Sequence, residues 1–420
     1  MNLILGGGIA GISAAYHLQK NGKAYKLCEK NHSWGGLCDN FTISGFLFDY
    51  FVHLSFTTND CVKELFSQST PFYTHNPLAY NYYKGKWIKH PAQNNLSPLS
   101  TDEKIRIIQD FINKPVSNPQ NYEEWLLVQF GDYFTNNFPS AYTRKYWTAN
   151  AKDLGLDWVG ERFSLPELSD ILRGAFEEQA DNFYYAKEMR YPVKGGYKAF
   201  LNKMADQIDI SVNKEAVLID TDNKQVEFSD GTKEYYTRLV SSVPLPELVK
   251  LIKDCPASIL DAGKELTATS GQLVSIGFNR PDIPQYLWAY IYDEDIFPAR
   301  VYSPSLKSKH NAPEGKSSLQ FETYCSKYSP KKCNGDGLTS HIIEKGERMN
   351  LFVQKDIDVI DYREVKYANV VFDHKRQKAV SVIHTYLQNL GINYIGRFGE
   401  WDYLWSDQSL LSGMDIINYK

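Results

Sequence analysis

The beginning of the chain alternates between apolar runs and glycines in a pattern that predicts a strand, a turn, a helix and a second strand. Leu3 to Leu5 is a short apolar run typical of a buried strand. Ile12 to Gln19 has the spacing of an amphipathic helix, and Ala24 to Cys28 is expected to form the next strand. Gly6 to Gly11 provides the turn between the first strand and the helix. This order is the start of a βαβ unit and indicates an α/β fold.

The glycines of this turn have the spacing of a dinucleotide-binding loop. Gly6 permits the tight turn, Gly8 lets the backbone approach a pyrophosphate, and Gly11 lets the helix pack closely on the strand. Glu29 follows the second strand, where a carboxylate can accept hydrogen bonds from both ribose hydroxyls. The alternative is a glycine-rich turn without a ligand, which gives no reason for an acid at this spacing. The residues predicted to bind the dinucleotide here are Gly6, Gly8, Ile9, Ala10, Gly11, Glu29 and Lys30.

The segment after Glu29 indicates which dinucleotide is bound. Ser33 to Leu37, SWGGL, and Gly45 to Asp49, GFLFD, resemble the second signature of glutathione-reductase-type flavoproteins, which include amine oxidases, protoporphyrinogen oxidases and UDP-galactopyranose mutases. In those relatives the glycine pair lies against the pyrophosphate of FAD, and the segment after it reaches the isoalloxazine ring. The resemblance implies that FAD is the cofactor and that its contacts include Gly35, Gly36 and Leu37.

Two later stretches extend the resemblance to these flavoproteins. Arg190 to Phe200, RYPVKGGYKAF, is similar to the "fP.GG" element of the family. Val212 to Leu248 has the alternation and the Asp-Gly turn of a β-meander, and it ends in the strand LVSSVPL. The resemblance places the backbone of Val217 or its neighbour at the adenine and returns the last strand to the nucleotide-binding sheet. The FAD-binding domain is therefore expected to be discontinuous in sequence.

A sharper resemblance, to the UDP-galactopyranose mutases, runs over most of the chain. Gly45 to Asp60 resembles the mutase segment that carries a histidine beside the flavin, which is His53 here. Ala79 to Asn95 resembles a strand and loop that end in "P.QNN". Tyr142 to Phe163 resembles the region that leads into the mobile substrate loop of the mutases, and it places Arg162 in that loop.

Two further mutase-like motifs each contain an arginine. Ala299 to Ser305, ARVYSPS, resembles a strand with a phosphate-binding arginine, Arg300. Gly396 to Gly413, GRFGEWDYLWSDQSLLSG, resembles the C-terminal signature of the mutases and contains Arg397. Because the motifs occur in the mutase order, together they indicate the family more strongly than any one of them. The resemblance implies catalytic roles for His53, Arg300 and Arg397, and FAD contacts from Gly396, Arg397 and, at the start of the last helix, Asp407 and Gln408.

The implied reaction interconverts the pyranose and furanose forms of a UDP-sugar, UDP-galactopyranose or a close analogue. In such mutases N5 of the reduced flavin attacks the anomeric carbon, UDP leaves, and the sugar ring opens and closes without net redox change. FAD would therefore be active in its reduced form, with NADH or NADPH as the expected reductant. Arginine suits the departing diphosphate because its planar guanidinium pairs with two phosphate oxygens. The resemblance implies substrate contacts from Tyr80, Trp147, Arg162, Trp288, Tyr290, Arg300, Tyr367 and Tyr403.

Four positions depart from the mutase pattern. Phe51 and Val52 stand directly before His53, where relatives have small residues, so the bulk beside the flavin is expected to change access to it. In the expected nucleotide site, Thr143 replaces a usual asparagine and Tyr82 replaces a polar side chain. These differences leave the identity of the sugar and of the nucleotide open.

Composition restricts the classes of partner. A chain of 420 residues is long enough for two or three domains with a large core, and a net charge of −4 argues against nucleic acid as the main partner. The chain has no uninterrupted apolar run of about 18 residues and no basic leader, so we expect no membrane insertion and a cytoplasmic location. The six cysteines form no CxxC pair, and metal binding is not expected. A homo-oligomer is compatible with these features.

Two other functions are compatible with parts of the sequence. An FAD-dependent oxidoreductase of the amine oxidase or protoporphyrinogen oxidase type shares the N-terminal motifs, but it does not require Arg300 and Arg397 in register. A non-catalytic flavoprotein that binds a nucleotide sugar is the second alternative, if the altered loop before His53 has abolished the chemistry.

The whole pattern predicts an α/β protein with a discontinuous Rossmann-type FAD-binding domain, a largely helical substrate domain and an antiparallel sheet domain. The helical domain would act as a lid over the substrate. The expected boundaries are 1–75, 186–250 and 386–420 for the FAD-binding parts, 76–185 for the helical domain and 251–385 for the antiparallel sheet domain.

Overall fold

The computed structural model describes residues 1–77, 79–160, 165–179 and 188–418 of the chain. Its strands, in chain order, are β1 (Asn2–Leu5), β2 (Tyr25–Cys28), β3 (Asn40–Ile43), β4 (Phe46–Asp49), β5 (Phe72–His75), β6 (Ala79–Tyr83), β7 (Lys86–Lys89), β8 (Met189–Pro192), β9 (Ile210–Ser211), β10 (Ala216–Asp220), β11 (Gln225–Phe228), β12 (Lys233–Tyr235), β13 (Arg238–Ser241), β14 (Ala268–Phe278), β15 (Trp288–Ile291), β16 (Arg300–Tyr302), β17 (Ser317–Cys325), β18 (Ile357–Val370) and β19 (Ile392–Tyr394). Its α-helices are α1 (Ile9–Lys20), α2 (Asp60–Ser69), α3 (Thr101–Ile112), α4 (Tyr122–Phe130), α5 (Asp132–Asn137), α6 (Pro139–Tyr146), α7 (Leu168–Phe176), α8 (Asn202–Ala205), α9 (Leu245–Leu251), α10 (Ala257–Glu265), α11 (Pro304–Lys307), α12 (Gly335–Arg348), α13 (Arg376–Asn389), α14 (Gly396–Gly399) and α15 (Ser406–Met414).

A five-stranded parallel sheet contains the predicted βαβ unit. Its strand order is β19-β13-β1-β2-β9, so it draws strands from the beginning, the middle and the end of the chain. β1 lies at the centre between β2 and β13. Leu3 and Ile4 are both fully buried in different apolar cores, because elements pack on both faces of this strand. The prediction of an α/β fold with a sequence-discontinuous nucleotide-binding sheet is confirmed.

Helix α1 differs from the expectation in its start and in its burial. It begins at Ile9 rather than at Ile12, and every residue from Ile9 to Leu18 is buried, so the prediction of an amphipathic helix is wrong. The reason is that α15 covers the side of α1 that the sequence pattern assigns to solvent. Where the two helices cross, a Cβ on Gly413 would lie 2.1 Å from the carbonyl oxygen of Ala10. Only glycine allows the two backbones to come so close.

A seven-stranded sheet forms the second half of the fold. Its order is β18-β14-β17-β16-β15-β6-β7, and all neighbours are antiparallel except β15 and β6. β17 is buried along its whole length, from Ser317 to Cys325, so both of its faces are covered. The pairing of β14 with β18 shifts register between Thr269 and Gly271. This irregularity lies where the sheet approaches the site described below.

The predicted β-meander is present as the three-stranded antiparallel sheet β10-β11-β12. β13 follows it and joins the parallel sheet beside β1, as the sequence pattern predicts. Val217 lies at a register shift in β10, between Ala216 and Leu218, and is 45% exposed. Its backbone is therefore accessible at an irregular point of the strand.

Helices α3 to α7 form the helical region, which lies in the sequence between β7 and β8. The side chain of Ser100 caps α3 by accepting from the N–H of Glu103, and the Glu103 side chain accepts in return from the N–H of Ser100. Within the described ranges, every helix is too short or too polar to cross a bilayer. In the same ranges, histidine, cysteine and carboxylate side chains do not gather in groups of three that could hold a metal ion.

Candidate active site

A cavity of about 370 Å³ lies between the antiparallel sheet, helices α4 to α6 and the loop that follows β4. It brings together side chains that are far apart in the chain. Of the residues predicted to bind substrate or cofactor, or to act in catalysis, the cavity is lined by Leu37, His53, Trp147, Trp288, Tyr290, Arg300, Arg397 and Tyr403.

Two glycine turns pack against each other beside the N-terminus of α1. Gly8 forms a parallel bridge with Gly35, and the Gly35 N–H donates to the Gly7 carbonyl at 2.8 Å. A Cβ on Gly36 would lie 3.2 Å from the Cα of Gly8, whereas no atom lies within 4 Å of the Cβ position of Gly8 itself. The backbone of Gly8 thus has an open side that a pyrophosphate can approach, next to the first N–H groups of α1. This arrangement fits FAD.

Glu29 lies at the end of β2 and is 5% exposed. One carboxylate oxygen accepts from the Gly7 N–H at 2.7 Å, and the other accepts from the Asn31 N–H at 2.8 Å. The carboxylate therefore holds the glycine loop in shape, in addition to the ribose contact that the sequence predicts for it. The neighbouring Lys30 is exposed.

A buried ion pair holds the strand that leads into the His53 loop. The Lys307 ammonium donates to the Asp49 carboxylate at 2.6 Å, and both side chains are fully buried. The same carboxylate accepts from the Tyr191 hydroxyl at 2.6 Å and from the Tyr197 N–H at 2.9 Å. Burial lowers the pKa of Lys307, although the Asp49 carboxylate opposes that shift. Because both charged groups are removed from water, the ion pair is stable only when its hydrogen bonds compensate for the lost solvation.

His53 faces the cavity from this loop. Its Nδ1 atom is buried and makes no hydrogen bond with the described residues. Burial lowers the pKa of His53 to about 4, although the Asp49 carboxylate opposes the shift, so the imidazole is neutral at physiological pH. A histidine this deeply buried is far less costly neutral than charged.

Arg300 is held by the buried carboxylate of Glu322. Its Nε donates to Glu322 Oε2, and its Nη2 donates to the Tyr324 hydroxyl at 3.0 Å. The Tyr324 hydroxyl in turn donates to Glu322 Oε2 at 2.6 Å, and the other Glu322 oxygen accepts from the Val52 N–H at 2.6 Å. Burial lowers the pKa of Arg300, but the Glu322 carboxylate and the hydroxyls of Tyr324, Tyr146 and Tyr142 together outweigh burial and keep the pKa well above its ordinary value. The guanidinium is 16% exposed, toward the cavity.

Arg397 has a different environment. Its Nε and Nη2 donate to the carbonyl oxygen of Leu404 at 2.8 and 2.6 Å, and its Nη1 lies 3.4 Å from Asn369 Oδ1. The guanidinium carbon lies 5.4 Å from the ring centroid of Tyr403. All these partners are neutral, and in the part of the chain that the structure describes no carboxylate is within ion-pair distance of Arg397. Its charge is therefore available to an anion in the cavity.

Aromatic rings form the end of the cavity between α4, α6 and the C-terminal signature. Trp147 lies edge-on to Trp158 at 4.9 Å and to Tyr403 at 5.1 Å between ring centroids. Thr143, the replacement for the expected asparagine, donates its hydroxyl to the Pro139 carbonyl at 2.7 Å. This end of the cavity thus offers flat apolar faces, which suit a nucleobase or a sugar.

The last helix, α15, starts at the edge of the cavity. Ser406 lines the cavity, and its hydroxyl lies 2.6 Å from the Tyr197 hydroxyl. The Gln408 side chain accepts from the Trp405 N–H at 2.9 Å, and Asp407 lies in the first turn. The two residues predicted to begin the last helix do so, and the helix N-terminus can stabilise negative charge there.

Tyr80 and Arg162 are two predicted substrate residues that are not part of the described cavity wall. Tyr80 lies on β6 and packs against Tyr286, with 4.2 Å between ring centroids. Tyr82, on the same strand, is buried in the apolar core behind the sheet. Arg162 lies outside the described residues.

Tyr367 also points elsewhere. Its hydroxyl donates to the Glu247 carboxylate at 2.6 Å, which is not a cavity contact, and Ala368 and Asn369 line the cavity in its place. At this point β18 pairs irregularly with β14: Gly271 lies opposite Val365 and Thr269 lies opposite Asn369, so β18 has two more residues than β14 over this stretch. The regular alternation of side chains between the two faces of a strand therefore does not hold here.

Several functional side chains were not predicted from the sequence. Glu322, the partner of Arg300 behind the cavity wall, was detectable in principle, because a carboxylate in the middle of the strand SSLQFETYC needs a partner if it is buried. No sequence signal distinguishes the other missed residues from packed aromatic or polar side chains. These are Tyr142, Tyr146, Tyr324, Asn369 and Trp405.

The fold and the site together define a flavoprotein: a parallel nucleotide-binding sheet with a glycine loop, joined to a cavity that can take an anion. The family described as flavin containing amine oxidoreductase matches residues 9–391. The chain belongs to this family.

Solved structures resemble the chain over nearly its whole length. Reduced UDP-galactopyranose mutase has a TM-score of 0.93 and 25% identity, with 99% of this chain and 94% of that chain covered. A putative protoporphyrinogen oxidase from Exiguobacterium sp. 255-15 has a TM-score of 0.77 and 14% identity, with 99% and 97% covered. A CLA-producing fatty acid isomerase from P. acnes has a TM-score of 0.67 and 11% identity, with 99% and 97% covered. The predicted resemblance to mutases and amine oxidases is confirmed, and the last two structures show the fold alone.

Glu322→Gln is expected to destabilise the protein, because it leaves the buried Arg300 without a carboxylate. We expect a loss of about 3 kcal/mol in the free energy of unfolding, measured by urea titration of the flavin-loaded protein. The matched control is Asp358→Asn, which breaks the partly exposed pair with Lys316 and should cost less than about 1 kcal/mol. Equal midpoints for Glu322→Gln and wild type would contradict the role of this carboxylate.

His53 is expected to make stability depend on pH between about 4 and 6.5. In this range an unfolded chain protonates the imidazole and the folded protein does not, so stability falls as the pH is lowered. His53→Gln should reduce the slope of unfolding free energy against pH by up to one proton, or about 1.4 kcal/mol per pH unit. The exposed His310→Gln serves as control. A slope that is identical in wild type and His53→Gln would show that His53 is not held neutral.

Proposed function

We propose that the chain is an FAD-dependent nucleotide-sugar mutase that interconverts the pyranose and furanose forms of a UDP-sugar, UDP-galactose or a close analogue. The observation that carries the proposal is Arg397, a cation at the cavity wall with only neutral partners among the described residues. Arg300 and His53 line the same cavity.

The charges of the cavity support a diphosphate ligand. The charge of Arg300 is balanced by Glu322, while Arg397 contributes an unbalanced positive charge. Both guanidinium groups can still donate to phosphate oxygens, and a leaving nucleoside diphosphate carries more negative charge than it does in the intact substrate. The two arginines are therefore suited to hold the departing group while the sugar ring opens and closes.

The remaining walls have corresponding roles. The aromatic end around Trp147 and Tyr403 would hold the nucleotide, and the end beside His53 would hold the sugar. The neutral imidazole of His53 carries no charge that could draw a phosphate away from the arginines. Trp288 and Tyr290 lie on β15 between these ends and would exclude water from the opened sugar.

FAD would be held by the glycine turns around Gly8 and Gly35, by Glu29 and by the start of α15. When bound in its reduced form, FAD supplies a nucleophile for the anomeric carbon. The overall reaction is an isomerisation, so the cofactor must be reduced once, with NADH or NADPH as the proposed source, and is then reused.

The second candidate is an FAD-dependent oxidoreductase, which the family description and the oxidase-like fold support. An amine substrate is disfavoured by the cavity, because a cation would lie near Arg300 and Arg397. A neutral or anionic substrate of an oxidoreductase would not meet this repulsion. The amount of NADH or oxygen consumed per product therefore decides between the two candidates.

Turnover is expected to require reduced flavin without consuming a reductant. Dithionite-reduced protein incubated with UDP-galactose should form an isomer that chromatography separates, and fully oxidised protein should form none. NADH absorbance should fall by far less than one equivalent per product. Consumption of one equivalent of NADH or oxygen per product would favour the oxidoreductase instead.

Arg397→Ala and Arg300→Ala should each lower kcat/KM by roughly 30- to 1000-fold, corresponding to about 2 to 4 kcal/mol of transition-state stabilisation. Arg397→Lys should recover only part of this, because an ammonium cannot pair with two phosphate oxygens in one plane. UDP should raise the Tm of the wild type and do so much less in either alanine variant. The control is Arg348→Ala, whose partner Asp295 lies on the surface away from the cavity. If both alanine variants bound UDP like the wild type, the diphosphate site would lie elsewhere.

A further inference from the structure

Phe51, in the loop before His53, has an unusual backbone conformation. Its φ is +67°, in the left-handed region that favours glycine. A bulky residue in this region is strained by about 1 to 3 kcal/mol, and such strain persists only where the surrounding structure enforces it. The loop therefore keeps an aromatic side chain at a position where glycine would be easier to accommodate.

A second unfavourable residue lies directly against the first. Gly271 is inside the long strand β14, where glycine is a weak strand former. A Cβ on Gly271 would lie 2.4 Å from Cζ of Phe51, so the strand needs glycine here because the Phe51 ring occupies the space. Glycine is unfavourable inside a strand, and Phe51 is unfavourable at a positive φ. The glycine leaves the space that the Phe51 ring fills.

The ring is fixed from several sides. It stacks on Tyr324 with 5.9 Å between centroids and an interplanar angle of 10°. The Phe51 carbonyl lies 3.1 Å from the Tyr302 hydroxyl, and the next residue, Val52, donates its N–H to Glu322. Phe51 is only 5% exposed, and that remaining surface lines the cavity. The ring is thus a rigid part of the wall between the His53 loop and the partner of Arg300.

We propose that Phe51 is a specificity-determining residue, which limits the room for substituents on the sugar ring of the substrate. The inference rests on the proposed function, because it assigns the sugar to the end of the cavity beside His53. The site would accept UDP-hexoses that carry a hydroxyl group at C2 of the sugar. It would reject 2-acetamido sugars, because their acyl group needs space that the Phe51 side chain occupies. A wall held by Tyr324, Gly271 and two backbone hydrogen bonds cannot move to admit the larger group, so the rejection is steric.

The selectivity experiment compares UDP-galactose with UDP-N-acetylgalactosamine on dithionite-reduced protein. We expect wild type to favour UDP-galactose in kcat/KM on the order of 100-fold, and Phe51→Gly to reduce this ratio at least about tenfold. Glycine suits the left-handed backbone, so the loop should keep its path while the ring is removed. Phe51→Leu, which keeps part of the side chain, should give an intermediate ratio. The flavin absorbance spectrum is recorded for each variant to verify cofactor content.

A stability experiment tests the placement of the ring without relying on activity. Gly271→Ala should lower the Tm in the wild-type background, because its methyl group meets the Phe51 ring, and should lower it far less in the Phe51→Gly background. The matched control is Gly277→Ala on the same strand, whose methyl group would meet Phe46 and Val359. That substitution should lower the Tm equally in both backgrounds.

The outcomes separate the inference from the proposed function. An unchanged selectivity ratio in flavin-loaded Phe51→Gly, with UDP-galactose still turned over, would overturn the inference alone. An equal effect of Gly271→Ala in both backgrounds would overturn the placement of the ring and the inference with it. If reduced wild type converted neither sugar and UDP gave it no thermal protection, the proposed function would be wrong and the inference would fall with it.

Discussion

Glu322 is the side chain on which the arrangement of the site depends. Its carboxylate is fully buried, with one oxygen accepting from the Val52 N–H and the other from Arg300 and the Tyr324 hydroxyl. It therefore joins the loop that carries His53 to the strand that carries the arginine. Because a buried carboxylate is costly unless every lone pair is used, the groups around it have little freedom to move. The loop that carries His53 and the strand that carries Arg300 are therefore tied to each other through this carboxylate.

Three backbone positions with an unfavourable conformation lie at or beside the same cavity. Phe51, Thr148 and Trp401 all have positive φ without being glycine. Thr148 directly follows the cavity residue Trp147, and Trp401 lies two residues before the cavity residue Tyr403. Each such conformation costs about 1 to 3 kcal/mol and needs tight packing to persist. The surrounding aromatic core and the buried ion pairs supply that packing, so the site places its side chains where an unstrained chain would not.

The predictions from sequence succeeded where they depended on short spacing or on the order of several motifs. The strand, glycine turn and second strand were located to within a few residues, and Arg300 and Arg397 were assigned to one site although they are far apart in the chain. Tyr367 shows the opposite case. Its motif placed it at the substrate, but its hydroxyl donates to Glu247, and Ala368 and Asn369 line the cavity. This stretch of β18 pairs irregularly with β14, and such an irregularity leaves no mark in the local sequence.

By itself the sequence determined the βαβ unit, the dinucleotide loop from Gly6 to Gly11 and the α/β class, because these depend on residues a few positions apart. Only the tertiary structure decided that α1 is buried on its outer side, that Glu322 neutralises Arg300, and that Arg397 keeps its charge available. It also decided that Phe51 rests on Gly271. The contacts of α1 with α15 and of Phe51 with Gly271 join segments hundreds of residues apart, and the Glu322–Arg300 pair joins two neighbouring strands. All of these contacts depend on strand register and helix crossing, which form only when the sheets and the helices pack together.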